Sequence, residues 1–358
     1  MRRRQFLAAT GTAATFGCSG CLAELGRIYT SDEPPVLSNR PAEPYIPTHV
    51  EGMNPVGTAD VGDFRVGVFY SYPHRFWVMD EEEGDFGTSL TRPARSADIH
   101  LMASVWDPDT GVVVPDTGLS VELTRDGSLV SEEVIYPMLS QRMGFHYGGN
   151  FGLDGDDTYE VRVNVGAASL NCFGALEGKF QSAAAGRLDF EFESTDRNDI
   201  PYERLDEKKG DRGAAKPMQM ESVPLGHAPE RLPGEPLGSG TASNLRLVGT
   251  AISDPRFGDD TYLAVSAQTP YNRLVVPRTG LSATVSGGGH VRFDGRLEPG
   301  LDPELGFHYG APVPELSSGD DIELVVEVPP QVVRHEGYET AFLEFGTTTL
   351  SEPVSRLT

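Results

Sequence analysis

Short runs in which apolar and polar residues alternate recur from about residue 49 onward. Phe64-Arg65-Val66-Gly67-Val68, Val121-Glu122-Leu123 and Tyr159-Glu160-Val161-Arg162-Val163 all have a period of two. That period marks strands with one face on a core. Turn-forming stretches separate the runs, among them Asp107-Pro108-Asp109-Thr110-Gly111 and Asp154-Gly155-Asp156-Asp157. The alternation fades over residues 195–240, where Pro, Gly and charge collect, and resumes at Ile322-Glu323-Leu324-Val325-Val326-Glu327-Val328. Beyond the first residues no stretch has a helical period with caps. The pattern predicts an all-β protein of two domains, 49–194 and 241–358, joined by a flexible linker over 195–240.

The two domains share wording. Val112-Val113-Val114-Pro115-Asp116-Thr117-Gly118-Leu119-Ser120 returns as Leu274-Val275-Val276-Pro277-Arg278-Thr279-Gly280-Leu281-Ser282. Gly144-Phe145-His146-Tyr147-Gly148 returns unchanged as Gly306-Phe307-His308-Tyr309-Gly310. Both recurrences have an offset of 162 residues. Two separate motifs at one gapless offset mark a tandem repeat, and each copy has the size of an Ig-like β-sandwich.

The N-terminus reads as an export signal over residues 1–21. Arg2-Arg3-Arg4-Gln5-Phe6-Leu7 has the twin-arginine form, and the apolar stretch that follows, 7–17, is too short to span a bilayer. It ends in Gly17-Cys18-Ser19-Gly20-Cys21-Leu22, so Cys21, or else Cys18, is the expected site of lipid attachment. The expected location is the outer face of the cell membrane. Residues 22–48, rich in Pro and acids, read as a tether.

Charge and cysteine content narrow the class. The net charge is −24, and the first 20 residues contribute three arginines and no acid, so the rest is more negative still. Such a chain repels itself unless salt screens it, which points to a high-salt milieu. Nucleic acid is excluded as a partner, because its affinity comes from Lys and Arg against phosphate. Cys172 is the one cysteine of the body, so no disulfide framework supports the fold.

Candidate chemistry gathers in the first copy. In Asp98-Ile99-His100-Leu101-Met102-Ala103 the apolar residues 99, 101 and 103 face a core, leaving His100 and Met102 together on the opposite face. Met138, Met143 and His146 follow. Imidazole with thioether suits copper; the competing reading is methionine as core filler with a surface histidine. His49, Met53 and His74, near the start of the copy, are weaker additional ligands, as are Met218, Met220 and His227 in the linker. No glycine-rich phosphate loop, nucleophile elbow or distinct carboxylate pair is recognisable, so a binding protein is expected and an enzyme is not.

Ser96-Ala97-Asp98-Ile99-His100-Leu101-Met102-Ala103, Tyr136-Pro137-Met138, His146-Tyr147-Gly148-Gly149-Asn150 and Tyr159-Glu160-Val161-Arg162 together resemble the periplasmic iron-transport family. That family includes a treponemal membrane-antigen lipoprotein and high-affinity iron-uptake proteins. The resemblance spans residues 55–194, with a degenerate second copy at 241–350. It implies a usually dimeric Ig-like sandwich that binds copper and iron beside a membrane iron permease. His100, Met138 and His146 match its copper ligands, while Met102 stands where the family has a carboxylate tied to iron. The family's later Arg-His pair is missing from the first copy, with Leu176 in the histidine's place. It returns in Pro329-Pro330-Gln331-Val332-Val333-Arg334-His335-Glu336 of the second.

At the 162 offset Tyr262, Ala264 and Gly300 stand for His100, Met102 and Met138, and His308 alone is kept. Two readings stay open. The shared Gly-Phe-His-Tyr-Gly motif is a structural turn whose histidine bonds backbone, or the copies hold complementary halves of one site, with His335 joining His100, Met102, Met138 and His146. The resemblance implies a copper- or iron-binding surface lipoprotein, a homodimer or an intrachain pseudo-dimer. The rival is a structural or adhesive sandwich with a decayed site. The charge itself makes a prediction: the melting temperature should drop steeply between molar and low salt in a thermal-shift series, and a flat salt dependence would contradict the high-salt reading.

Overall fold

The computed structural model describes residues 34–350 apart from 221, 315, 317 and 318. The export signal, Cys18 and Cys21 lie outside the described residues. The first unit comprises β1 (His49–Glu51), β2 (Asn54–Val61), β3 (Phe64–Ser71), β4 (Phe76–Glu82), β5 (Asp85–Thr91), β6 (Ile99–Trp106), β7 (Leu119–Arg125), β8 (Ser128–Val134), β9 (Tyr136–Ser140), β10 (Gly144–Phe151), β11 (Asp157–Val165), β12 (Asn171–Cys172), β13 (Ala184–Phe192) and β14 (Tyr202–Arg204). The second comprises β15 (Glu235–Ala242), β16 (Leu245–Ile252), β17 (Thr261–Gln268), β18 (Gly280–Gly287), β19 (His290–Asp302), β20 (Gly306–Val313), β21 (Asp321–Val328), β22 (Val333–Arg334) and β23 (Gly346–Thr349).

Each unit is a β-sandwich, as the alternation predicts. In the first, a sheet ordered β2-β3-β6-β10-β9-β22-β4-β5 faces one ordered β13-β11-β7-β8. In the second, β15-β16-β17-β20-β19 faces β19-β18-β21-β23, with the long β19 serving both layers. Ile99, Leu101 and Ala103 of β6 pack into the core between the sheets, with Val121, Leu123, Val161 and Val163 opposite. Burial of these β-branched and aliphatic side chains is the main stabilising term. That core is continuous with Leu263, Val265, Leu324 and Val326 of the second unit.

The units exchange short arms. β22, from the second unit, lies inside the first unit's sheet, parallel to β9 (Val333 beside Met138, Arg334 beside Leu139) and antiparallel to β4 (Arg334 beside Trp77). In return β12 lies parallel to β19, with Asn171 beside Gly300 and Cys172 beside Leu301. The two exchanges have the same register at the 162 offset. Arg278 donates to Asp116 at 3.0 Å, and these two positions are themselves equivalents. Self-contact of equivalent positions is the mark of an isologous, twofold arrangement.

Two expectations are corrected. Residues 34–48 are not a free tether: Tyr45 is fully buried, its hydroxyl donates to the buried Glu339, and Arg40 pairs with the same carboxylate at 3.1 Å. The Pro and acid content that suggested a tether serves an extended strip laid against the arm. Nor is 195–240 a flexible linker. It opens with a short helix, α1 (Ser194–Asn198), pairs β14 with β1, buries Val223 and Leu232, and enters β15. Its backbone donates from Met218 to the Arg142 carbonyl at 2.8 Å, while Asn272 donates to the Ala215 carbonyl at 2.9 Å. Polar composition misled because backbone and amide hydrogen bonds, rather than apolar periodicity, hold this segment.

The β22 arm is held by a buried cation. Arg334 is fully buried and donates to the carbonyls of Pro330 (3.1 Å), Ala341 (3.2 Å) and Phe342 (3.1 Å). Burial pulls its guanidinium down to about 9, and nearby Glu339 opposes that, so the charge persists at neutral pH. Gly337 turns the arm at φ +94°, where a Cβ would come within 2.5 Å of Gln141 Nε2 and the Tyr45 carbonyl. Each buried acceptor left unmade costs about 1–3 kcal/mol, and relief of a buried charge offsets part of that. Arg334→Met should therefore cost about 2–4 kcal/mol, lowering the melting temperature by roughly 5–10 °C. A shift under about 1 °C in calorimetry would show that the clamp contributes little.

Candidate metal centre

Four histidines meet where the arm enters the first sheet. His100 on β6 and His146 on β10 share the sheet face turned away from the main core. His146 stands beside Met138 of β9 in register. His74 comes from the β3–β4 connection, and His335 follows β22. Ring centroids are 4.0 Å apart for His74 and His100, 5.0 Å for His74 and His335, 5.2 Å for His146 and His335, and 5.8 Å for His100 and His335. Ligand atoms of His74, His100 and His335 all lie within 4.8 Å of one another. His335 Nε2 is 3.3 Å from Met138 Sδ.

The outer nitrogens are committed, which sets the tautomers. His146 Nδ1 donates to the Gly144 carbonyl at 3.0 Å, and His100 Nδ1 donates to Asn150 Oδ1 at 3.0 Å. Carbonyl oxygens only accept, so in each neutral ring Nε2 carries the lone pair. Both Nε2 atoms are buried without a hydrogen-bond partner. Asn150 also receives the His74 backbone N–H at 3.3 Å and donates to the His74 carbonyl at 3.0 Å, tying the His74 loop to His100. Gly148 leaves the space in which the donors converge. A Cβ there would stand 2.8 Å from His100 Nε2 and 2.9 Å from Met138 Sδ.

Burial, then the neighbouring imidazoles, drives His100 and His335 well below the usual histidine range; burial brings His146 down to about 4. All three rings are neutral donors at neutral pH. Beside them Glu51 of β1 bonds His74 Nδ1 and His49 Nε2, each at 3.3 Å, and accepts from Ser71 at 3.1 Å. Burial would raise the Glu51 carboxyl, but these imidazole hydrogen bonds outweigh it and hold the group far below the carboxylate range. A carboxylate behind a histidine fixes the ring and raises its basicity as a ligand.

The two readings of the Gly-Phe-His-Tyr-Gly motif merge. His308 Nδ1 donates to the Gly306 carbonyl at 3.1 Å, the same turn that His146 makes. The turn uses Nδ1 and leaves Nε2 to face the pocket. In the second unit that pocket is closed: Tyr262 donates to His308 Nε2 at 3.2 Å, and Phe173 and Phe257 pack around it. His308 therefore belongs to an aromatic plug and not to the histidine cluster. Phe173, reached by β12, is the counterpart of His335. Assigning that place to Leu176 is corrected, since Leu176 is fully buried in the main core. Counting from the 162 offset locates Phe173.

Met102 lines a cleft beside His74, His146 and His335, packed with Phe69, Trp106 and Met143. His100 is fully buried, so the competing reading of it as a surface histidine does not hold. Of the weaker additional ligands, the structure brings His74 into the cluster and places His49 one carboxylate away. His227 lies elsewhere, bridged to Leu274. Glu51 was missed: β1 carries no motif, and its pairing with β14 crosses the segment read as a linker.

These features define an all-β protein with a buried imidazole–thioether cluster shared by two sandwich units. The profile of a family described as a domain of unknown function, DUF7350, matches residues 56–168 and 230–351, and the chain belongs to that family. Curated relatives include UPF0423 proteins of Brucella abortus (strain 2308) and Brucella suis biovar 1, each 31% identical over 126 residues, covering 33% of this chain and 64% of the relative. The chain thus spans slightly under two thirds of the length of the curated relatives it matches. Among solved structures, a copper-bound variant of FetP from uropathogenic Escherichia coli strain F11 superposes with a TM-score of 0.29 at 20% identity, over 39% of this chain and 92% of that one. A copper-bound variant of Campylobacter jejuni P19 does so with a TM-score of 0.29 at 18% identity, over 40% and 97%.

The convergence over Gly148 is directly testable. Gly148→Ala should push His100 and Met138 apart and weaken soft-metal binding at least tenfold in a competition titration, with the fold retained by circular dichroism. Unchanged affinity would contradict the geometry.

Proposed function

We propose that this protein binds copper(I) in a centre shared by its two units, with Nε2 of His100, His146 and His335 and Sδ of Met138 as the donors and His74 beside them. The observation that carries the reading is the pair of buried, unpartnered Nε2 atoms on His100 and His146. Buried polar atoms are nearly always satisfied, and leaving one unmade costs about 1–3 kcal/mol. Two such atoms, on rings centred 5.8 and 5.2 Å from that of His335, whose own Nε2 is 3.3 Å from the Met138 sulfur, fit a metal site better than a packing accident.

The donor set favours copper over iron. Thioether is a soft ligand that selects copper(I), whereas imidazole alone would also suit iron; by the motif resemblance, Met102 stands where the iron-transport family has a carboxylate tied to iron. All inner donors are neutral, and a monovalent ion is less costly to bury than a divalent one. Glu51, ionised one bond behind His74, balances a single positive charge.

The wider role rests on the N-terminal pattern and the motif resemblance: an exported lipoprotein, attached through Cys21 or Cys18 to the outer face of the cell membrane, that holds copper beside an iron permease and serves iron uptake as a binding protein. The alternative, a structural or adhesive sandwich, suits the second unit, whose pocket is plugged, and leaves the buried, unpartnered Nε2 atoms of His100 and His146 unexplained. In anaerobic titration against a copper(I) chelator the wild type should bind tightly, and the His100→Ala/His146→Ala double variant should bind at least a hundredfold more weakly. Equal affinity in the two proteins would overturn the proposal.

A further inference from the structure

The methionines are segregated. Among the described residues, the large core shared by both units contains valine, leucine, isoleucine and aromatics but no methionine. Met138 is at the histidine centre, and Met53, Met102, Met143, Met218 and Met220 pack in one separate cluster beside it. Met79 is the one described methionine outside both groups. These five residues come from four places in the chain: the turn before β2, β6, the β9–β10 turn, and the segment between the units.

Methionine fills irregular gaps, and filler should be scattered through both cores. What distinguishes it from leucine is a soft sulfur that binds copper(I). Met53, Met102, Met143 and Met218 line the same cleft as His146 and His335. Met53 and Met218 are only partly buried, whereas Met143 and Met102 are 3% and 5% exposed. The cluster runs from solvent toward the imidazoles. The segment that supplies Met218 is fixed over the cleft: Met218 N–H donates to the Arg142 carbonyl at 2.8 Å, and the Arg142 guanidinium donates to the Lys216 carbonyl at 2.8 Å.

We propose that this cluster is a second, thioether-only site for a soft monovalent cation, through which copper(I) reaches the imidazole centre. The inference deepens the proposed function and rests on it for the identity of the ion. Silver(I) is the redox-inert probe. Wild-type full chain should take up two equivalents of silver(I) by calorimetry against a competing chelator. The Met53→Leu/Met143→Leu/Met218→Leu variant, near-isosteric, should keep its melting temperature within a few degrees and take up one. The His100→Ala/His146→Ala variant should also keep one, with a sulfur-only shell in X-ray absorption. Should the triple variant not fold, absorption spectra of the wild type at two equivalents decide, since the mean shell must then hold more than the one sulfur per silver that the imidazole centre alone would give. Uptake of one equivalent by the wild type, two by the triple methionine variant, or a mean of no more than one sulfur per silver at two equivalents overturns the methionine site. Loss of silver from the methionine variant alone would instead overturn the imidazole centre and leave the cluster standing.

Discussion

Two main-chain pairings, Val333 with Met138 and Arg334 with Leu139, carry the rest of the structure. They place a segment of the second unit between two strands of the first and deliver His335 to within 3.3 Å of the Met138 sulfur. An edge strand is an open row of donors and acceptors, and here each unit closes the other's edge with a two-residue arm. The N-terminal strip, Glu339 and the Arg334 guanidinium fasten the arm from behind. The His74 loop and β1 close over its front.

The frame is the same twice over, and the contents differ. Both units keep the histidine turn, the tyrosine that bonds back to Thr117 or Thr279, and the arm register. Tyrosine and phenylalanine then fill in the second unit the space that imidazole and thioether line in the first. A buried, neutral donor pocket is costly unless a ligand occupies it, so the plug removes an unsatisfied pocket where no ligand is held. At the twofold, Asp116 meets Arg278; a symmetric pair of either residue would bring like charges together, so tandem fusion permits an attraction that identical subunits could not make.

Much of this was legible in the chain. Period-two alternation gave β6, β7, β11 and β21 and the face of β6 that meets the main core, because a side chain's direction in a strand follows from its position. The repeat gave two units, and motif likeness pointed to His100, Met138 and His146. Less legible was anything held by backbone pairing across sequence distance. His74 sits in a loop with no period, Glu51 depends on β1 meeting β14, and the 34–48 and 205–234 segments look flexible by composition while their hydrogen bonds hold them. The Leu176 assignment failed because it leaned on local likeness where the gapless offset pointed to Phe173.

One measurement tests the shared centre most directly: anomalous scattering at the copper edge from crystals of the copper(I)-loaded full chain. The account predicts a peak about 2.0–2.1 Å from Nε2 of His100, His146 and His335 together, by analogy with zinc–imidazole distances. A tightly bound copper held by residues of the first unit alone, with His335 out of bonding range, would contradict it.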